Sequence, residues 1–330
     1  MKPFFFLLAL LLLSPSAFPQ SRDSSSATQK FTAYQADKFT TRRTLNLEFT
    51  QLGAYDFTSR LRSGAAALLR GRVSHMSQAS ANININFIQT RKWILGASFN
   101  YHYTGLKADF SEPVTGPDQT GSISNDYHYH NSSLNLTRIS RLWNKPMVYY
   151  GSIAVDGSEK GFERVKGLAS ASMVLKSNAE TKIAVGLFVT VDRSSQIPVM
   201  PVFSYEHKLG DGYLLDIALP RNVLIRKHVF GNGRISLGTE ISRTNFYLYH
   251  LDNTGKIYEY NQGDINNGFI YEHLLFKDFI LSLKGGVRIS PNARIFDRDK
   301  SVSDYIFETK PDPTAYLNLG ISLNPFRKKR

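Results

Sequence analysis

Along the stretch Trp93-Ile94-Leu95-Gly96-Ala97-Ser98-Phe99-Asn100-Tyr101-His102-Tyr103 one face is apolar and the other mostly small or polar, with Ile94 the exception. The odd positions are apolar or aromatic, whereas Gly96, Ser98, Asn100 and His102 are small or polar. Successive side chains of a strand point to opposite faces, so this is a long strand with one apolar and one hydrated face. The split recurs in residues 181–192, where Ile183, Val185, Leu187, Val189 and Val191 oppose Lys182, Ala184, Gly186, Phe188, Thr190 and Asp192. It recurs again in residues 279–290 and in 317–324, where Leu317, Leu319, Ile321 and Leu323 oppose Asn318, Gly320, Ser322 and Asn324.

Weaker runs of the same period cover residues 44–51, 65–75, 81–89, 128–140, 146–155, 166–176, 199–209, 213–219, 234–249 and 267–276, with 222–229 a further candidate. The expected count is about twelve strands, within ten to fourteen. Gly210-Asp211-Gly212 and Gly231-Asn232-Gly233 mark turns between them. The polar insertions 107–126 and 297–313 read as loops on one rim.

The chain has 330 residues, 17 Tyr, 22 Phe, no Cys and a formal net charge of +13. Without cysteine there is no disulfide framework, thiolate metal site, cysteine nucleophile or lipid-anchor cysteine. Met1-Lys2 precedes the apolar run Phe4 to Leu13 and a small-residue stretch, which reads as an export signal over residues 1–20. Residues 21–43 are rich in Ser, Thr and Gln and have no sustained apolar period, so a flexible arm is expected there. The strand region then runs over 44–326, and Arg327-Lys328-Lys329-Arg330 is a basic tail.

Strands of soluble sandwiches usually run about 5 to 6 residues, whereas a tilted crossing of a hydrocarbon core takes about 9 to 11. Several runs have the longer length, and their second faces carry Gly, Ser, Asn and scattered charges. In lipid every backbone N–H and C=O needs a partner within the protein, so strands must close on themselves. The expected fold is a single closed antiparallel transmembrane β-barrel in a bacterial outer membrane, with aromatic girdles drawn from Trp93, Tyr101, Tyr103, Tyr149, Tyr150, Tyr205, Tyr213, Tyr247, Tyr249, Tyr271, Phe279 and Tyr316. A soluble secreted β-sandwich is the alternative.

The segment Ile197-Pro198-Val199-Met200-Pro201-Val202-Phe203-Ser204-Tyr205-Glu206, with Leu209-Gly210-Asp211-Gly212-Tyr213-Leu214-Leu215-Asp216-Ile217-Ala218-Leu219-Pro220, resembles the DUF6268-like family of uncharacterised outer-membrane barrels of Bacteroidetes-type bacteria. Residues 82–103 and the ending 312–326 are similar to it too. The resemblance spans roughly residues 40 to 326 and implies a fold and a compartment, with no activity or functional residues attached.

With the apolar face outward, alternation aims Lys182, Glu206, Lys208, Asp216, Glu240, Lys284 and Arg288 into the lumen. They either pair with one another and fill a narrow barrel, the favoured reading, or line a path in which Lys182, Lys208, Lys284 and Arg288 favour anionic solutes. The function expected is a narrow solute channel or a structural envelope component, with outer-membrane lipid and lipopolysaccharide as surroundings. No cofactor is indicated, and an exported chain without a basic helix is a poor nucleic-acid binder. The second class is a lipid hydrolase barrel, for which His75 with Ser77, or His130 with Ser132, share a strand face. His128 and His130 form a possible metal pair lacking a third ligand.

Overall fold

A computed structural model describes residues 26–62, 68–112, 119–251 and 254–325. The expected signal peptide and the basic tail lie outside the described residues. In chain order come the helix α1 (Ala27–Lys38), a 3-10 turn (Thr40–Arg42) and the strands β1 (Leu45–Leu52), β2 (Tyr55–Leu61), β3 (Leu68–Gln89), β4 (Trp93–Glu112), β5 (Gln119–Leu142), β6 (Lys145–Ser158), β7 (Gly161–Ser177), β8 (Thr181–Val191) and β9 (Val199–Lys208). They are followed by β10 (Tyr213–Leu219), β11 (Asn222–Val229), β12 (Gly233–Tyr249), β13 (Ile257–Leu274), β14 (Phe279–Ile289), β15 (Ala293–Asp297), β16 (Phe307–Pro311) and β17 (Thr314–Leu323).

Every pairing is antiparallel, and β1 bonds both β3 and β17, which closes the ring. Three strands are interrupted: β2 prolongs β1 along β3, β15 prolongs β14 along β13, and β16 prolongs β17. The ring therefore has 14 strands, the upper bound of the expected range. A closed ring rules out the sandwich alternative.

Burial confirms which face is which. Along β17, Thr314, Tyr316, Asn318 and Ser322 are buried inside, whereas Leu317 and Leu319 are each 51% exposed on the outer wall. Water-loving side chains face inward and oil-loving ones outward, the inverse of a soluble protein. Among the described residues, a small buried apolar cluster built around Leu52, Tyr55, Val73, Met76 and Tyr316 lies within the lumen.

The end carrying the start of β1 and the finish of β17 has short turns. One of them, Trp143-Asn144, has both central residues left-handed (φ 49° and 58°), as a two-residue hairpin demands. Exposed aromatics gather at this terminal end: Trp93, Trp143, Tyr149, Tyr213, Phe230, Phe276 and Phe279. Tyr101 and Tyr103 stand higher on the outer face of β4 and stack with His128. From Trp93 to Tyr101 the climb at a 35–45° tilt is about 20 Å, close to the height of an apolar membrane band. Of the aromatics expected at a girdle, Tyr150, Tyr247 and Tyr316 are inside instead: Tyr150 donates to the inward Asn135, and Tyr247 and Tyr316 are 3% and 9% exposed.

The described part of the expected loop over residues 107–126 is strand, β4 reaching Glu112 opposite Gln119 of β5, whereas 297–313 is mostly loop, with a 3-10 turn at Val302–Asp304 and the short strand β16 at Phe307–Pro311. These ladders rise beyond the membrane, where both faces are wet and no alternation of polarity is required. The same reasoning joins residues 68–75, the described part of the expected run 65–75, and 81–89 into the single strand β3, because Ser77, Gln78 and Ser80 hide the period between them.

Across β12, β13 and β14, Gly238, Gly268 and Gly286 stand directly opposite one another. A Cβ on Gly268 would lie 2.1 Å from the Gly285 carbonyl oxygen, and one on Gly286 would lie 2.0 Å from that of Asn267. This row is a crease at which the sheet bends. Beyond it the far part of β12 leans across the lumen, where Phe246 stacks between Tyr127 of β5 (4.0 Å) and Tyr260 of β13 (4.5 Å).

Two outcomes follow. Leu319→Lys places an ammonium on the lipid face and should cost about 2 to 4 kcal/mol, measured by urea unfolding in lipid vesicles. Gly268→Val should abolish or sharply reduce the folded, heat-modifiable form on gels. Gly263→Val, where a Cβ meets nothing within 4 Å, should fold normally.

Candidate functional site

The segment expected to be a loose arm is the plug of the barrel. Ser26 caps α1, its hydroxyl accepting from the Gln29 amide while the Gln29 side chain accepts from the Ser26 amide. No Gly or Pro interrupts residues 27–38, so the helix forms, and its polar surface suits a polar lumen rather than an apolar core. α1 lies across the terminal mouth. The Thr28 hydroxyl donates to the Thr90 carbonyl at 2.6 Å, while at the other end Lys38 bridges Glu206 (3.0 Å) and Asp216 (2.5 Å).

Asp216 also takes Arg226 at 2.7 Å, and Glu206 takes Lys182 at 2.9 Å. The Tyr34 hydroxyl donates to Glu206, and burial beside that carboxylate pushes the phenol well above its ordinary range. Arg43 closes the arrangement. Fully buried, it pairs with Glu272 at 2.5 Å, and Glu272 takes Arg234, which reaches Asp37 of α1 at 3.1 Å.

Above the plug, Lys284 pairs with Glu240 (3.1 Å) and Glu48 (3.7 Å). Arg288 donates to Asn266 and Gln78 at 2.8 and 2.9 Å and lies 3.7 Å from Asp264. The far end is sealed by groups from opposite walls. Asp156 holds Lys166 at 2.6 Å and accepts from Tyr129 (2.8 Å) and Tyr247 (3.1 Å), Arg164 pairs with Glu259, and Arg298 pairs with Glu163 at 2.5 Å.

Between the two seals lie adjoining cavities of about 440 and about 350 Å³ that share Thr41, Arg221 and Arg243. The larger is walled by amides and hydroxyls, among them Asn84, Ser98, Asn131 and Asn135, with Arg42. Arg42 lies over the Tyr150 ring at 5.3 Å, and Arg221 lies over Phe39 at 4.3 Å while donating to the Thr41 hydroxyl. Among the described residues, neither the exposed Arg42 and Arg243 nor the half-buried Arg221 forms an ion pair, whereas the buried lumen cations Lys38, Arg43, Arg226 and Arg288 do.

Six of the seven residues singled out by alternation sit in the interior networks: Lys182, Glu206, Asp216, Glu240, Lys284 and Arg288. They are not free for a solute, because each has an ionic partner. Lys208 ends β9 as an exposed rim residue. The unpaired cations, Arg42, Arg221 and Arg243, were not legible as a group, since they come from the arm, a turn and β12. The capping pair Ser26 and Gln29 was the signal available for α1.

The residues weighed for hydrolysis lie on the outer face. On β3 the even positions Met76 and Gln78 point inward, which turns His75 and Ser77 out; on β5, Tyr129 and Asn131 point inward, which turns His130 and Ser132 out. His128 bonds the Tyr101 hydroxyl at 2.7 Å, and His130 bonds the Ser158 carbonyl at 2.9 Å.

Among solved structures, the chain is similar to the outer membrane protease OmpT of Escherichia coli at 9% identity, covering 84% of this chain and 96% of that one, with a TM-score of 0.32. It is similar to the COG4313 outer membrane channel of Pseudomonas putida F1 at 8% identity (84% and 93% covered, TM-score 0.32) and to the P. putida toluene transporter TodX at 11% (86% and 90%, TM-score 0.32). No curated protein matches. Residues 74–324 match the family described as Domain of unknown function (DUF6268), to which this chain belongs.

Proposed function

We propose that this is an outer-membrane transport barrel caught in its plugged state, one that takes a small anionic solute. The terminal end faces the periplasm, since short turns sit there in barrels of this kind. The observation that carries the reading is the pairing of an interior cavity rich in unpaired guanidinium groups with a plug tied down by ionic contacts that one movement can break. A barrel serving only as structure needs neither the space nor the uncompensated charge.

Lys38 is the bolt. It compensates two buried carboxylates, so its removal leaves Glu206 relying on Lys182 and Asp216 on Arg226. Losing one partner of a buried pair costs about 3 to 5 kcal/mol, enough to shift an α1-docked equilibrium far toward release. The apolar wall outside and the ladder itself do not depend on Lys38.

The chain has no cysteine, which makes any introduced thiol unique. Asn135→Cys, in the larger cavity, should react slowly with a sulfonated methanethiosulfonate in the otherwise wild-type protein. Adding Lys38→Met should accelerate the reaction by roughly tenfold or more, with the sulfonate outpacing a trimethylammonium reagent of similar size. A folded Lys38→Met variant that labels no faster overturns the plugged-transporter reading in favour of a structural barrel. Faster labelling by the cation overturns the anion preference.

A further inference from the structure

The barrel wall is incomplete on one side. The hairpin β10–β11 has strands of only 7 and 8 residues, short of the 9 to 11 that a crossing takes. β10 pairs β9 only from Phe203 to Lys208, and β11 pairs β12 only as far as Glu240. Beyond the hairpin tip at Leu219–Asn222, residues 199–202 of β9 and 242–249 of β12 have a strand neighbour on one side only.

Unpaired strand edges facing lipid are expensive, and the sequence at this edge reduces the cost. The Thr190 amide bonds the Pro198 carbonyl, so even residues of β9 turn their peptide groups toward β8 and odd ones toward the gap. Pro201, an odd residue, has no N–H to leave unpaired there. On the other side the Ile241 amide bonds the Arg221 carbonyl, the last rung before the interruption. The β8–β9 loop frames the opening from above: Arg193 donates to the Asp299 carbonyl at 2.5 Å and Asn261 to that of Ser194 at 3.2 Å.

Each side of this frame also lines the larger cavity: Met200 on β9, Ser195 on the loop, Arg221 at the hairpin tip and Arg243 on β12. Outside the frame Ile197 and Val199 (both 55% exposed), Leu219 (46%) and Ile241 (48%) face the membrane. Inside it, Phe188 and Met200 stand opposite each other across β8 and β9, and Leu168 follows on β7, giving an apolar strip on a lumen wall otherwise rich in amides and hydroxyls, with the ion pair of Lys166 and Asp192 at its upper edge.

We infer that the gap between β9 and β12 is a lateral portal for a single-chain amphiphile with an anionic head. The head, a carboxylate or phosphate, is taken by Arg42, Arg221 and Arg243, and the chain lies along Phe188, Met200 and Leu168 toward the membrane. The inference deepens the transport reading by naming the solute class and its entrance, and it rests on that reading for the cavity's role. It does not depend on whether α1 leaves.

The test uses the full chain in lipid nanodiscs. Bimane attached at Met200→Cys should be quenched by lipids brominated along their acyl chains, whereas bimane at Ala154→Cys, lining the same cavity from the intact β6 wall, should not. Dansyl-undecanoic acid should bind saturably, be displaced by dodecyl phosphate but not by inorganic phosphate, and bind roughly tenfold more weakly to Arg42→Gln/Arg243→Gln. Heat-modifiable mobility checks that the variants fold. Equal quenching at the two positions overturns the portal. Displacement by inorganic phosphate as effective as by dodecyl phosphate shows an anion arriving from water and overturns the amphiphile. Both results leave the Lys38→Met labelling experiment untouched, so the two readings fail separately.

Discussion

A hydrocarbon layer offers no hydrogen bonds, and this single deficiency governs the architecture. Each peptide group in the membrane must find its partner in the next strand, so the last strand must find the first. β17 and β1 meet that condition over eight residue pairs, from Leu45 opposite Leu323 to Leu52 opposite Tyr316. The outward rows of Leu, Val and Ile follow from the same solvent, since the backbone fixes the ring and the lipid then selects what projects from it.

The interior obeys the opposite rule. A wall with Asn, Ser, Thr and charges turned inward cannot be filled by an apolar core, so the space is closed by groups that satisfy polar atoms. That is why a weakly amphipathic helix serves as the plug. α1 offers Lys38 and Asp37 to the wall, and Arg43 follows it in the chain; the wall answers with Glu206, Asp216, Arg234 and Glu272. The apolar burial that stabilises helices in soluble proteins is largely replaced here by ion pairs shielded from water. At the far end the same principle operates between walls, with Asp156 receiving Lys166, Tyr129 and Tyr247.

The fold class was readable because alternation is a local property that survives in any single strand, as in Trp93 to Tyr103. The closure partners, the interruptions at Gly53–Ala54 and after Ile289, and the extensions past the membrane were not readable, because outside the lipid nothing forces polarity to alternate. The candidate site was legible only in part. Strand parity put Glu206, Asp216, Glu240, Lys284 and Arg288 inside, but parity cannot say which charges cancel. Their partners Lys38 and Glu48 lie far away in sequence, the first of them in a segment whose composition resembles a linker. Arg42, Arg221 and Arg243 stand out only after the other lumen cations have been paired off in three dimensions.

That subtraction bears on function. Buried cations placed for stability alone are expected beside carboxylates, as Lys38, Lys166 and Arg234 are. The exposed Arg42 and the half-buried Arg221 instead lean on aromatic rings and have no ion-pair partner among the described residues. A guanidinium stacked on a ring keeps its plane fixed and its N–H groups directed sideways, ready to take both oxygens of a planar carboxylate or of a phosphate. Entry of an anion relieves this lack of a direct ionic partner. The interruption of the wall beside these same residues places the relief within reach of the membrane, where anions attached to an apolar chain reside.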